Sequence, residues 1–261
     1  MLEHLDWLVM KMPNRKKIIL FIVEGINDKT SLALCLSQLL NDDEIHFEIT
    51  DGDITTRIGT NPTNIAAKVG DIVKKHSARV FKQSDYLEVV HLIDMDGAFV
   101  PDENVSESEN GELIYELDTI RCKDVSGIKK RNHQKQEVVN RMLSISKVWT
   151  CIPYSVYFFS CNMDHVLHNQ ANLTKNEKDK LAQKFEDTFI NKPQEFAEFF
   201  DDEQLFSGKS YIESWDFIRA STNSLKRKTN FYLYIKEKVS KNVAAQNFCH
   251  TFSFFLSKIF I

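Results

Sequence analysis

The alternation of apolar and polar positions divides the chain into a part built from strands and helices and a later part built from helices. Residues 16–23, Lys-Lys-Ile-Ile-Leu-Phe-Ile-Val, form a nearly unbroken apolar run rich in branched side chains. That pattern predicts a strand buried on both faces, as in a parallel sheet. The run stops at Glu24-Gly25, and Leu32, Leu34, Leu36, Leu39 and Leu40 then predict a helix running to Asn41, with Asn27 or Asp28 as its cap. A second strand is expected at 45–50, closed by Asp51-Gly52-Asp53, and a second helix from Ile65 to about Lys75. The third strand, 86–93, runs straight into Asp94-Met95-Asp96-Gly97. Strand, helix, strand, helix, strand with short connections predicts right-handed βαβ units and a parallel sheet.

Beyond Pro101 the regularity is lost. Residues 102–118 carry acids and no bases, whereas 121–131 are mostly basic. This reads as an insertion at about 98–132, with a hairpin through Leu113-Ile114-Tyr115. A helix is expected at 136–146 and a fourth strand at 148–159, where Pro153 marks a break or an edge. The remainder predicts helices at 163–168, 175–190, 193–206, 211–219, 224–241 and 243–261. The expected organisation is an α/β domain at 1–170 followed by a helical region at 171–261.

Composition narrows the class. The chain is 43% hydrophobic and 27% charged, the balance of a globular protein large enough to bury a core. A formal charge of −4 supplies no global basic field, so contact with nucleic acid has to come from a local patch. Five scattered cysteines without a CxxC pair speak against a zinc ribbon or a disulfide framework and for reduced thiols in the cytoplasm. No apolar run reaches the roughly 20 residues of a membrane helix, and the start has no signal-peptide pattern. The apolar end, 252–261, is interrupted by Lys258 and suits either a packed helix or a subunit contact, the second of which would make a homo-oligomer.

Two apolar strands that each end in acid beside glycine carry the chemistry. In an open parallel sheet the carboxyl ends of the strands border the binding crevice. Glu24 leaves the first strand there and Asp94 the third, and strand alternation is expected to aim Asp94 and Asp96 together while Met95 turns into the core. Oxygen ligands without His or Cys suit Mg²⁺ or Mn²⁺, ions that bind phosphate oxygens.

The segment Ile22-Val23-Glu24-Gly25-Ile26-Asn27-Asp28, followed about seventy residues on by Leu92-Ile93-Asp94-Met95-Asp96-Gly97, resembles the TOPRIM domain. That domain is shared by topoisomerases, bacterial primases, small RNA-maturing nucleases and nucleases of the overcoming-lysogenization-defect type. The resemblance covers roughly 16–160. It implies a Rossmann-like, four-stranded parallel sheet between helices, with Glu24 as general acid/base or metal ligand and Asp94 and Asp96 binding Mg²⁺. Asp28 matches a polar position that often follows the Glu-Gly pair. The glycine directly after Asp96 and the insertion behind it depart from the minimal domain.

Around these residues stand secondary candidates. Asp53 and Asp164 are expected as further ligands of the metal site, each placed just beyond a strand. Lys29, in the first turn of the helix after Glu24-Gly25, is expected to meet phosphate where backbone N–H groups already favour anions. Lys129, Lys130 and Arg131 form a compact basic run suited to backbone phosphates, and 226–228 form another. His165 and His168 lack a third partner for zinc.

A topoisomerase needs a nucleophilic Tyr on another domain, and a primase would bring a zinc module. Stand-alone nucleases remain, and the sequence looks most like small TOPRIM proteins of bacterial phage defence or abortive infection. The expected function is therefore Mg²⁺-dependent hydrolysis of phosphodiester bonds in DNA or RNA. No P-loop motif is present, so any dependence on ATP would come through a partner ATPase. The alternative is a non-catalytic TOPRIM subunit that binds nucleic acid or such a partner.

Overall fold

The structure, a computed structural model, describes residues 17–40 and 44–241. The strands and helices of its first part are β1 (Ile18–Val23), α1 (Ile26–Leu39), β2 (Glu44–Ile49), α2 (Ile65–Ser77) and β3 (Tyr86–Asp94). Three short strands follow, β4 (Val105–Glu107), β5 (Ile114–Tyr115) and β6 (Ile120–Cys122), then α3 (Val125–Met142). The chain continues through β7 (Lys147–Val148), β8 (Ile152–Phe159), α4 (Met163–His168), α5 (Lys175–Phe189), α6 (Pro193–Phe200) and α7 (Tyr211–Arg219). A last helix, α8, occupies 231–241.

The main sheet has the order β2-β1-β3-β8-β7. β1 runs parallel to β2 and β3, β3 runs parallel to β8, and only the two-residue edge β7 is antiparallel. Helices cover both faces, so this is an α/β fold of the Rossmann-like kind. All six residues of β1 are buried, and alternation divides them. Ile18, Leu20 and Ile22 join Val69 and Val73 of α2 and Val138, Val139 and Met142 of α3 on one face. Ile19, Phe21 and Val23 join Leu32 and Leu36 of α1, Phe185 of α5, and Phe196 and Phe200 of α6 on the other. The unbroken apolar run in the sequence is the consequence of these two covered faces.

The stretch after β3 is a small separate sheet of order β4-β6-β5, and its β5–β6 hairpin contains the expected Ile114 and Tyr115. α3 begins at Val125, eleven residues before the expected start at 136. Asp124 starts it, accepting from the Gly127 N–H at 2.8 Å. The early turns escape a periodicity reading because the inward positions Asn132 and Lys135 are polar, and Lys135 meets Asp53 and Asp96 instead of an apolar core.

Two later helices are shorter than expected. α6 stops at Phe200 and gives way to a 3₁₀ turn at Glu203–Leu205. The helix expected from 224 starts at 231, because Thr229 is bridged to Phe159 and Phe206 and its hydroxyl donates to the Phe158 carbonyl at 2.6 Å. The helix expected at 243–261 lies outside the described residues. Among those described, no helix is long and apolar enough to cross a membrane.

Candidate active site

The order β2-β1-β3 means that the chain leaves β1 to one side and returns to β3 on the other. The crevice at the carboxyl ends of β1 and β3 is therefore the switch point where open α/β sheets bind ligands. Glu24 is the first residue past β1 and Asp94 the last of β3. They meet directly: the Asp94 N–H donates to Glu24 Oε1 at 3.2 Å. Asp94 Oδ1 accepts in turn from the Met163 N–H at 2.8 Å, which ties the site to the start of α4. Asp28 turns back over the same corner, its Oδ2 accepting from the Gly25 N–H at 2.9 Å.

Asp96 reaches the cluster by a different route from the one alternation predicts. β3 ends at Asp94, Met95 is buried in the core as expected, and Asp96 sits in a left-handed turn at φ 48°. Its N–H donates to the Cys161 carbonyl at 2.6 Å. Gly97 follows at φ 72°, where an added Cβ would run into the Ile120 side chain of β6. Both the dihedral and the close approach of β6 demand glycine.

Side chains from α3 close the site. Lys135 is fully buried, and its ammonium lies 2.8 Å from Asp96 Oδ2 and 2.9 Å from Asp53 Oδ2. Asp53 also accepts from the Thr55 N–H at 2.7 Å and from the hydroxyls of Thr55 and Thr56. One helical turn before Lys135, Arg131 donates to the Asp96 carbonyl at 2.6 Å and to the Tyr115 hydroxyl at 3.2 Å. Tyr115 OH stands 3.5 Å from Asp96 Oδ1, so that oxygen is held only weakly.

The charges are unevenly compensated. Burial raises the pKa of Glu24 well above the ordinary carboxylate range, with Asp53, Asp96 and Asp28 adding repulsion against the pull of Lys135. Asp94 is raised by burial and then by Glu24, Asp28 and Asp96. Burial lifts Asp28 to about 6. Asp53 is different: burial works to raise it, but Lys135 and the Thr55 donors outweigh that and lower it to about 2. Burial likewise works against the Lys135 ammonium, yet Asp96, Asp53 and Glu24 prevail and keep it protonated. The cation thus neutralises the Asp53–Asp96 side of the cluster and leaves Glu24 and Asp94 short of positive charge.

No family model matches the sequence, and no curated protein or solved structure matches it either. The reading of the site therefore rests on its own geometry.

Glu24 contacts Asp94, Lys135 bridges Asp96 to Asp53, the two pairs feel each other's charge, and Arg131 holds the Asp96 carbonyl. Asp164 is bound to Lys178 at 2.7 Å, and its charge is felt by Asp28. Lys29 and Lys129 are half-buried and Lys130 is exposed. Among the described residues no hydrogen bond or ion pair links these three side chains to the cluster. In the second basic run, Arg227 donates to the Val166 carbonyl at 2.8 Å and Lys226 to Asn223, which gives both local structural partners. His168 packs edge-on against Phe185.

Among the described residues, no group of three or more His, Cys, Asp or Glu is placed so that it could hold a metal ion as it stands. The donor chemistry nevertheless fits a hard cation. Glu24, Asp94 and Asp96 offer only oxygens, and burial, joined by repulsion from neighbouring acids, raises the pKa of Glu24 and Asp94. Asp96 remains 24% exposed, so the cluster is reachable from solvent.

Sequence reasoning missed Lys135 and Tyr115. The spacing of Arg131 and Lys135, one turn apart on a single helix face, was the available signal.

Proposed function

We propose that the chain is a TOPRIM-like, Mg²⁺- or Mn²⁺-dependent nuclease that hydrolyses phosphodiester bonds of DNA or RNA, working in the cytoplasm as an effector of phage defence. The observation that carries this reading is the contact between Glu24 and Asp94 at the switch point, with Asp96 in the same electrostatic cluster. Glu24, Asp94 and Asp96 would hold the ion, and Asp53 and Asp164 flank them. A divalent ion bound there supplies positive charge that polarises a phosphate ester. Glu24, whose carboxyl burial pushes well above the ordinary carboxylate range, is suited to take a proton from an attacking water or return one to the leaving oxygen. Arg131, Lys29, Lys129 and Lys130 are the candidates for steadying substrate phosphates. Any ATP dependence would be supplied by a partner ATPase.

Glu24→Gln and Asp94→Asn remove one charge each with little change of shape. Both are expected to abolish Mg²⁺-dependent cleavage of labelled DNA or RNA while the circular dichroism and melting temperature stay close to wild type. Wild-type cleavage rates in both variants would refute the assignment.

A second reading is a non-catalytic subunit that binds nucleic acid or a partner ATPase. The engagement of Asp53 and Asp96 by Lys135 favours it, since a cation is already built into the cluster. Nucleic-acid binding without turnover in Mg²⁺ or Mn²⁺ would select this reading.

A further inference from the structure

Two carboxylates of the cluster already have a cation. Lys135 Nζ lies 2.8 Å from Asp96 Oδ2 and 2.9 Å from Asp53 Oδ2, and the side chain is fully buried. It enters from α3, whose neighbouring residues fix its position. Gln134 donates to the Thr55 carbonyl at 3.1 Å, and Arg131 donates to the Asp96 carbonyl at 2.6 Å. The loop carrying Asp53 and the turn carrying Asp96 are thus both tied to the helix that carries the ammonium. A buried ammonium between two carboxylates is costly to move, because its departure strands charge in a low-dielectric site. On the other side of the cluster, Glu24 and Asp94 touch each other through a backbone N–H and have no ammonium at hydrogen-bond distance among the described residues.

We propose that Lys135 is a resident cation standing where a second divalent ion would bind, so that this site takes a single divalent ion, on Glu24, Asp94 and the Oδ1 of Asp96. The inference rests on the nuclease reading above and specifies its metal stoichiometry. Two-metal sites place their ions only about 3.5–4 Å apart and share carboxylates between them. An ammonium already bound to Asp96 and Asp53 fills the second position in both space and charge. Lys135 is a positioning residue in this view: buried as it is, it acts through Asp96 and Asp53 and does not touch substrate.

The test counts ions on the whole chain, with Mn²⁺ alone as the probe, by calorimetric titration and by the electron spin resonance of bound Mn²⁺. The wild type is expected to bind one Mn²⁺. Lys135→Arg, which keeps the charge, is also expected to bind one. Lys135→Met is expected to bind two, with the spin–spin broadening of a close pair, and to melt at a temperature that Mn²⁺ raises more than in the wild type. Two ions in the wild type would overturn the proposal while leaving the metal reading intact. One ion in Lys135→Met with an unaltered spectrum would overturn it as well. No binding by the wild type would remove the nuclease reading and this inference together. Should Lys135→Met fail to fold, the wild-type count still decides.

Discussion

At the scale of single residues, the site is defined by which carboxylates have a counter-charge and which lack one. Asp53 is held at about 2 by Lys135, whereas Asp28, lifted by burial, titrates at about 6. A carboxyl that binds its proton more tightly in the folded state stabilises the fold fully below its unfolded pKa. That contribution is lost as pH rises through the folded value. For Asp28 the window runs from about 4 to about 6, the reference value being 3.8. Histidines work in the opposite direction. His91, lowered to about 4 by burial, contributes stability above its unfolded value that is lost as pH falls toward 4. The wild-type melting curve alone therefore mixes the two, and a difference isolates Asp28. Asp28→Asn keeps an acceptor for the Gly25 N–H, and its melting temperature relative to wild type is expected to climb between pH 4.5 and 7.5 by on the order of a few degrees. A constant difference across that range would show that Asp28 titrates at an ordinary value. Glu24, Asp94 and Asp96 were legible in the sequence because they sit at the ends of apolar strands, with Gly25 and Gly97 close behind. Lys135 was not, because a buried lysine in a polar stretch looks like any surface lysine until its partners are known.

At the scale of elements, legibility followed apolar periodicity. β1, β2, β3 and α2 were read to within about two residues, since their buried faces leave a regular record. α3 was cut short because its first turns turn polar residues inward, toward the cluster. Its true start moves Lys129, Lys130 and Arg131 from an irregular insertion onto one helix, and only Arg131 reaches the acids. The seam between β8 and the last helices was also missed, since polar side chains hold it. Asn230 is fully buried, accepts from the Phe158 N–H at 2.8 Å and donates to Ser214 Oγ at 3.1 Å. Asn230→Ala leaves that N–H without a partner beside the last strand and is expected to cost about 1–3 kcal/mol. Urea unfolding reads this as a lower midpoint at unchanged slope; a midpoint equal to wild type would mean that the seam does not hold β8.

At the scale of the whole molecule, one parallel sheet arranges everything the proposed chemistry needs. Its covered faces consume the apolar residues, and the helices after residue 170 complete one of those faces through Phe185, Phe196, Phe200 and Phe231. The strand order then leaves a crevice at the ends of β1 and β3, and the chain puts its acids there. A formal charge of −4 gives no long-range attraction for nucleic acid, so the proposed function needs a bound cation and a few local bases to supply it. The proposed function stands on a cation site formed by the acids at the ends of β1 and β3. Crystals grown with Mn²⁺ and measured at a wavelength where manganese scatters anomalously test it directly. An anomalous peak within ligand distance of Glu24, Asp94 and Asp96 is expected. An ordered crevice with no peak there, in a protein saturated with Mn²⁺, would contradict it.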